Sequence, residues 1–184
     1  DAIRSRGLGD VYKRQTLKFG DKEIKVENLE NFDFSKVNIS FFSAGKTISE
    51  KYVPLAAKHS VVIDNSSFFR MDPDVPLIVP QVNKDHLKNI KKNIIANPNC
   101  STAQLVIVLK SLNDNFKIKR IVISTYQSTS GAGKKPMDEL IDQTKSILNN
   151  KSFEVKNFTK QIAFNAIPHI CLLYTSPSPR DRIA

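Results

Sequence analysis

The sequence has no tryptophan, two cysteines, three histidines and no apolar run approaching the roughly 18 residues that a membrane span requires. So few cysteines exclude a disulfide framework. No charged segment followed by an apolar stretch opens the chain, so no secretory leader is read, and a soluble cytoplasmic protein is the expectation. The rest is ordinary globular material: 184 residues, 40% hydrophobic and 25% charged, enough for a sizeable core in one to two domains. The formal net charge is +10, from 28 Lys+Arg against 18 Asp+Glu. The lysines are scattered and carry no aromatic interleaving or nucleic-acid motif, so no nucleic-acid partner is expected. A basic surface of this kind helps attract a phosphorylated small molecule. No metal site, internal repeat or low-complexity tract is read.

The two ends stand apart. Ser5 to Gln15 and Cys171 to Asp181 can be encoded by opposite strands of one DNA: TGT CTC TTA TAC ACA TCT spells Cys171 to Ser176, and its reverse complement, shifted by one base, gives Asp10 to Arg14. Such an inverted repeat resembles a translated sequencing-library adapter. Residues 1–15 and 171–184 are therefore expected to be non-native, leaving 16–170 as an internal stretch of a longer protein and Cys100 as its single cysteine.

Within that stretch, Val37-Asn38-Ile39-Ser40-Phe41-Phe42 reads as a strand ending at Ser43-Ala44-Gly45, followed by Ile48, Tyr52, Leu55 and Ala56 at helical spacing. Val61-Val62-Ile63, then residues 76–80, then Ile94-Ile95-Ala96 read as further short strands. Asn83 is expected to cap a helix over residues 84–91, and Cys100 to open a helix with Ala103, Val106 or Ile107, and Leu109 or Leu112 inward. Alternating strands and helices predict an α/β architecture with a largely parallel sheet, part of a Rossmann-like dinucleotide-binding domain over residues 16–99. The layout then changes. Residues 118–126 read as a long strand, Ser128 to Gly133 as a turn, and Met137, Leu140, Ile141, Thr144 and Leu148 as the inward face of an amphipathic helix. Residues 151–160 read as loop and 162–167 as a strand, the start of an α+β catalytic or dimerisation domain over residues 100–170.

Asn97-Pro98-Asn99 places Cys100 where a strand ends and a helix begins. Unsatisfied N–H groups and the helix dipole favour a thiolate there and can also hold an oxyanion formed when it attacks an acyl group. A buried, inert cysteine at a helix start is the alternative. Asn97-Pro98-Asn99-Cys100-Ser101-Thr102 resembles the nucleophile motif of bacterial aspartate-semialdehyde dehydrogenases. So do Phe42-Ser43-Ala44-Gly45, residues 62–67, Phe69-Arg70-Met71-Asp72, Asp74-Val75-Pro76-Leu77, Ser124-Thr125-Tyr126-Gln127, residues 130–133 and residues 164–169, in the family's order.

The resemblance implies reduction of L-aspartyl 4-phosphate to L-aspartate 4-semialdehyde with NADPH, through a cysteine thioester and with release of phosphate, in a protein that is a homodimer when full length. It makes Cys100 the acyl-bearing nucleophile and gives Arg70 the substrate phosphate, which a planar guanidinium can grip through two parallel bonds. It gives Gln127 the orienting of the acyl group and Asn99 a place lining the site. Ser130 and Gly131 resemble a turn at the nicotinamide end of the cofactor, and Ser43, Ala44 and Gly45 a cofactor-side loop. Taken alone, Arg70 reads as an ordinary surface or salt-bridged arginine, Gln127 as a polar strand end and Ser130 to Gly133 as a turn.

Several features depart from the family. The first strand and a Gly-x-Gly-x-x-Gly turn are missing upstream of Val37, and no histidine stands in the family's catalytic place, since His59, His86 and His169 match other segments. Lys46 replaces a usual second glycine, and Gln81 a common glutamate. The fragment itself is expected to be inactive. An N-acetyl-glutamyl-phosphate reductase-like enzyme and a non-enzymatic protein of the same fold are the alternatives.

Overall fold

Short runs of β-branched and aromatic residues build the sheet. In a computed structural model that describes residues 15–168, β3 (Ile39–Phe42), β4 (Val61–Asp64) and β5 (Ile94–Ala96) lie parallel in the order β3-β4-β5. They come after a two-stranded hairpin, β1 (Thr16–Phe19) and β2 (Lys22–Lys25). The chain forms two compact units, the first ending at Ile121 and the second beginning at Val122. The residues read as adapter-derived, Gln15 excepted, lie outside the described residues, as do His169 and Cys171.

In the first unit, α1 (Lys46–Ala56) crosses from β3 to β4 and buries Ser49, Tyr52, Val53 and Ala56, one face at helical spacing. Val53 is fully buried and Leu55 is 45% exposed, so Val53 takes the inward place expected of Leu55. These side chains close over Phe42, Val62, Ile94 and Ala96 of the sheet, with Leu29, Phe34 and Phe69 completing the core. Residues 76–78 add an extended piece beside β5: Ala96 N–H donates to the Pro76 carbonyl and Ile78 N–H to the Ala96 carbonyl, each at 3.0 Å. α2 (Pro80–Asn83) starts on a proline, whose missing N–H costs nothing in a first turn. Asn83 does not cap the next helix. Its amide oxygen accepts from Val79 N–H and its amide N–H donates to the Leu77 carbonyl, both at 2.9 Å, so it closes the turn behind it, and residues 84–89 form a 3-10 helix. α3 (Cys100–Phe116) opens at Cys100 as expected, with Ala103, Val106 and Leu109 off the buried core and Ile107 and Leu112 exposed.

The β1–β2 hairpin is an addition to the elements expected from the sequence. Its register, Phe19 opposite Lys22, leaves the two-residue connection Gly20-Asp21, with Gly20 at φ +58 where glycine is favoured.

The chain after α3 corrects three expectations. Residues 118–126 form no strand, and Val122 and Tyr126 are 80% and 92% exposed. Residues 162–167 form none either. A β-branched composition suits a pleated surface, but a strand exists only where a neighbour pairs with it, and among the described residues neither segment has one. The third concerns α4 (Lys134–Leu148), whose buried residues are Glu139 and Gln143, while Met137, Ile141 and Leu148 are exposed. Its partner is loop backbone, which needs acceptors. Glu139 accepts from the backbone N–H of Lys156 at 2.9 Å and Asn157 at 2.6 Å, from the Asn157 side chain at 2.6 Å, and from Gln143 Nε2 at 2.9 Å. Gln143 Oε1 in turn accepts from Ile162 and Ala163 N–H at 2.9 and 3.2 Å.

Burial alone would push the Glu139 carboxyl up, but these donors outweigh it and hold it below the ordinary carboxylate value. A carboxyl lowered by folding contributes stability that is complete above its unfolded value of about 4.3 and is lost as pH falls through the lower folded value. Denaturant titrations of the chain between pH 6 and pH 3 should show this loss, with a slope of up to about 1.4 kcal/mol per pH unit from this group. Glu139→Gln should be less stable at pH 7 by about 1–3 kcal/mol, and its acid-side slope should be shallower. An unchanged slope would mean that the carboxylate does not hold the loop.

Candidate active site

Register sets the site. Phe42 pairs with Asp64 and Asp64 with Ala96, so the three parallel strands end level, and each is succeeded at once by a polar residue: Ser43, Asn65 and Asn97. The carboxyl edge of a parallel sheet is where such folds receive ligands. Backbone bonding continues one residue past the strands, from Asn65 N–H to the Phe42 carbonyl at 2.7 Å and from Asn97 N–H to the Asp64 carbonyl at 2.8 Å. Beneath, the fully buried Asp64 accepts from Ser49 Oγ on α1 at 2.9 Å and from Ser66 N–H and Oγ at 2.9 and 2.7 Å.

Above that backbone, side chains span the strand ends. Asn97 Nδ2 donates to Asn65 Oδ1 at 2.6 Å, and Asn65 Nδ2 donates to Ser43 Oγ at 3.3 Å. Arg70, half-buried, ties the same two ends from the loop after β4: its Nε donates to the Asn97 carbonyl at 2.8 Å and its Nη2 to the Asn65 carbonyl at 3.0 Å. The loop that carries Arg70 is itself held, since Lys92 Nζ lies 2.9 Å from an Asp72 oxygen and Lys91 Nζ 2.9 Å from an Asp74 oxygen. The Lys92 ammonium, aided by Asp74 N–H, keeps the Asp72 carboxyl below its ordinary value.

Buried Pro98 then turns the chain into α3, where Asn99 is the N-cap and its side chain accepts from Ser101 N–H at 3.0 Å. Cys100 is the first residue of the helix and is exposed, so the alternative of a buried thiol does not hold. At the end of β3, Gly45 has φ +96, precedes α1 without a side-chain cap, and faces open space where a Cβ would stand. A ligand can approach the backbone closely at such a turn. A cavity of about 300 Å³ runs along β3, walled by Phe32, Phe34, Phe41 and Ile48 and reaching Ser43 and Ala44 but not Cys100.

The first unit thus brings six residues singled out from the sequence, Cys100, Arg70, Asn99, Ser43, Ala44 and Gly45, to one sheet edge. Gln127, Ser130 and Gly131 belong to the second unit. There Ser128 caps a short turn over Thr129–Ala132, accepting from Ser130 N–H at 3.3 Å. Asn65 and Asn97 belong to the quoted motifs, but the sequence assigns them no role. The available signal is their position, Asn97 directly after the apolar run of β5 and Asn65 one residue beyond that of β4, after Asp64. Among the described residues no group of three or more His, Cys, Asp or Glu could hold a metal ion, and no helix is long and apolar enough to cross a membrane.

Fold and site together define a Rossmann-like α/β protein with an exposed thiol at the carboxyl edge of its parallel sheet. The family model for the semialdehyde dehydrogenase NAD-binding domain matches residues 4–90, and that for the semialdehyde dehydrogenase dimerisation domain matches residues 109–173. The chain belongs to the semialdehyde dehydrogenase family. It is similar to the aspartate-semialdehyde dehydrogenase of Rickettsia bellii, 52% identical over 158 residues, covering 84% of this chain and 46% of that protein. It is also similar to aspartate-semialdehyde dehydrogenase 2 of Vibrio cholerae, 50% identical over 158 residues, covering 85% of this chain and 47% of that protein. Among solved structures, aspartate semialdehyde dehydrogenase II of Vibrio cholerae complexed with ASA superposes with a TM-score of 0.81 at 48% identity, covering 88% of this chain and 48% of that one. The chain spans about half the length of the curated relatives it matches.

Proposed function

We propose that the full-length protein carrying these residues reduces L-aspartyl 4-phosphate to L-aspartate 4-semialdehyde, and runs the reverse reaction when phosphate is supplied. The observation that carries this is Cys100, exposed at the first position of α3, three residues after a carbonyl gripped by Arg70. The Cys100 thiolate attacks the acyl carbon, the bond from that carbon to the phosphate oxygen breaks, and phosphate leaves with the bonding pair, giving a thioester. Arg70, with Nε and Nη2 on carbonyls, still has donors of its five to offer the departing phosphate. Asn99 lines the site, and Gln127 orients the acyl carbonyl. A reduced nicotinamide nucleotide, NADPH in this reading, would when bound supply the hydride that reduces this thioester. The carbon–sulfur bond then breaks, Cys100 regains its electron pair as thiolate, and the aldehyde is released. Ser43, Ala44 and Gly45 would hold one side of the nucleotide, and Ser130 and Gly131 its nicotinamide end. In this reading two full-length chains pair through their second domains in the cytoplasm.

The test is a steady-state assay of the full-length protein with aspartate semialdehyde, NADP and inorganic phosphate. Formation of reduced nucleotide should saturate with phosphate, and N-acetyl-glutamate semialdehyde should be turned over at least about 100-fold less efficiently, a size of discrimination that buried polar recognition supplies. Preference for the acetylated substrate would replace this reading with the other acyl-phosphate reductase.

A further inference from the structure

The side-chain ladder across the strand ends has a consequence for the nucleophile. We infer that Asn65 is a positioning residue: it locks the Asn97-Pro98-Asn99 turn that presents Cys100, and couples that turn to the loop after β3. The inference rests on the reading of Cys100 as nucleophile, though its test does not depend on turnover. Asn65 is bonded on every side. Its N–H goes to Phe42, its carbonyl accepts from Arg70, its Oδ1 accepts from Asn97 and its Nδ2 donates to Ser43. An amide is suited to this place because it offers an acceptor on one side and a donor on the other, so it can relay between two neighbours without adding charge beside a thiolate. Aspartate in the same place would accept from Asn97 but could not donate to Ser43, and would set a negative charge at the strand ends next to the nucleophile's turn.

Positioning matters because the turn lies at the surface. Asn97 is exposed, and it ties the turn to the neighbouring strand end and the Arg70 loop through its N–H, its carbonyl and its side-chain amide. Removal of the Asn65 side chain deletes the last of these and leaves the backbone bonds and Arg70 in place. The turn then loses its side-chain tie to the neighbouring strand end, and Cys100, three residues after Asn97 at the start of α3, is held less firmly.

Two measurements test this, with Cys171→Ser as the background so that a single thiol reports. The first is iodoacetamide labelling of Cys100 in the full chain at pH 7. Asn65→Ala should label at a rate at least about threefold different from that of the parent chain, while its melting temperature stays within a few degrees. The second measurement is the steady-state assay of full-length protein, in which Asn65→Ala should lower kcat about tenfold with little change in KM for phosphate or nucleotide. Labelling of Asn65→Ala at the parent rate would overturn the inference. So would a rise in the nucleotide KM at constant kcat, which would make Asn65 a ligand of the nucleotide. Absence of turnover in the parent, with the labelling difference intact, would sink the proposed reaction and leave the positioning role standing.

Discussion

Cys100→Ala in the full-length protein should abolish phosphate-dependent oxidation of aspartate semialdehyde, by more than about 10³-fold in kcat, because the proposed route has no acyl carrier without it. Stability should be almost unaffected. Cys100 is exposed at the first position of α3, the N-cap bond from Ser101 N–H to Asn99 does not involve it, and exposed substitutions of this kind change stability by within about 0.5 kcal/mol. The two readouts separate cleanly: a dead enzyme with an unchanged melting curve marks a chemical role. Cys100→Ser is the stricter comparison, since its hydroxyl comes close in volume but is a far weaker nucleophile at neutral pH. Retention of more than a few per cent of turnover by either variant would remove Cys100 from the mechanism.

Arg70→Lys should show two losses. The sequence alone suggests a phosphate ligand whose conservative replacement would spare the fold. The structure adds a bracing role, because Nε and Nη2 donate to the carbonyls of Asn97 and Asn65. A lysine ammonium on a flexible stem cannot reproduce that fork. Two carbonyls lose a charged donor, which costs about 1–3 kcal/mol in all, visible as a lower denaturation midpoint at unchanged slope. The apparent affinity for phosphate should fall as well, with a smaller effect on kcat. A stability loss alone, with phosphate dependence intact, would make Arg70 a brace only. An undiminished midpoint would show that the carbonyls do not depend on it.

The strands of the first unit are legible in the sequence because each is a brief apolar run ended by a polar residue: Ile39 to Phe42, Val61 to Ile63, Ile94 to Ala96. The start of α3 is legible for a related reason, since proline at 98 stops the strand and Asn99 is a strong N-cap. The hairpin is harder to read because its alternation is diluted by lysines, although Gly20-Asp21 between Leu17-x-Phe19 and Ile24-x-Val26 is a turn signal. Residues 118–126 and 162–167 carry strand composition, but composition does not supply a neighbour. The apolar stripe of α4 reads as its inward face, whereas the surface it meets is backbone that calls for carboxylate and amide oxygens. At the site, single residues can be named from motifs, but the bonds among them cannot. Asn65 meets Ser43 across 22 positions and Asn97 across 32, and only the register of three strands brings them level.

The grip of Glu139 and Gln143 on residues 156–163 bears on how the second unit opens. The amides of Lys156, Asn157, Ile162 and Ala163 all end on two side chains one turn apart on α4. Such amides cannot exchange with solvent one at a time as in an ordinary loop. They open together, and only when the middle of α4 unwinds or its side chains swing away, so helix and loop form a single cooperative unit of local unfolding.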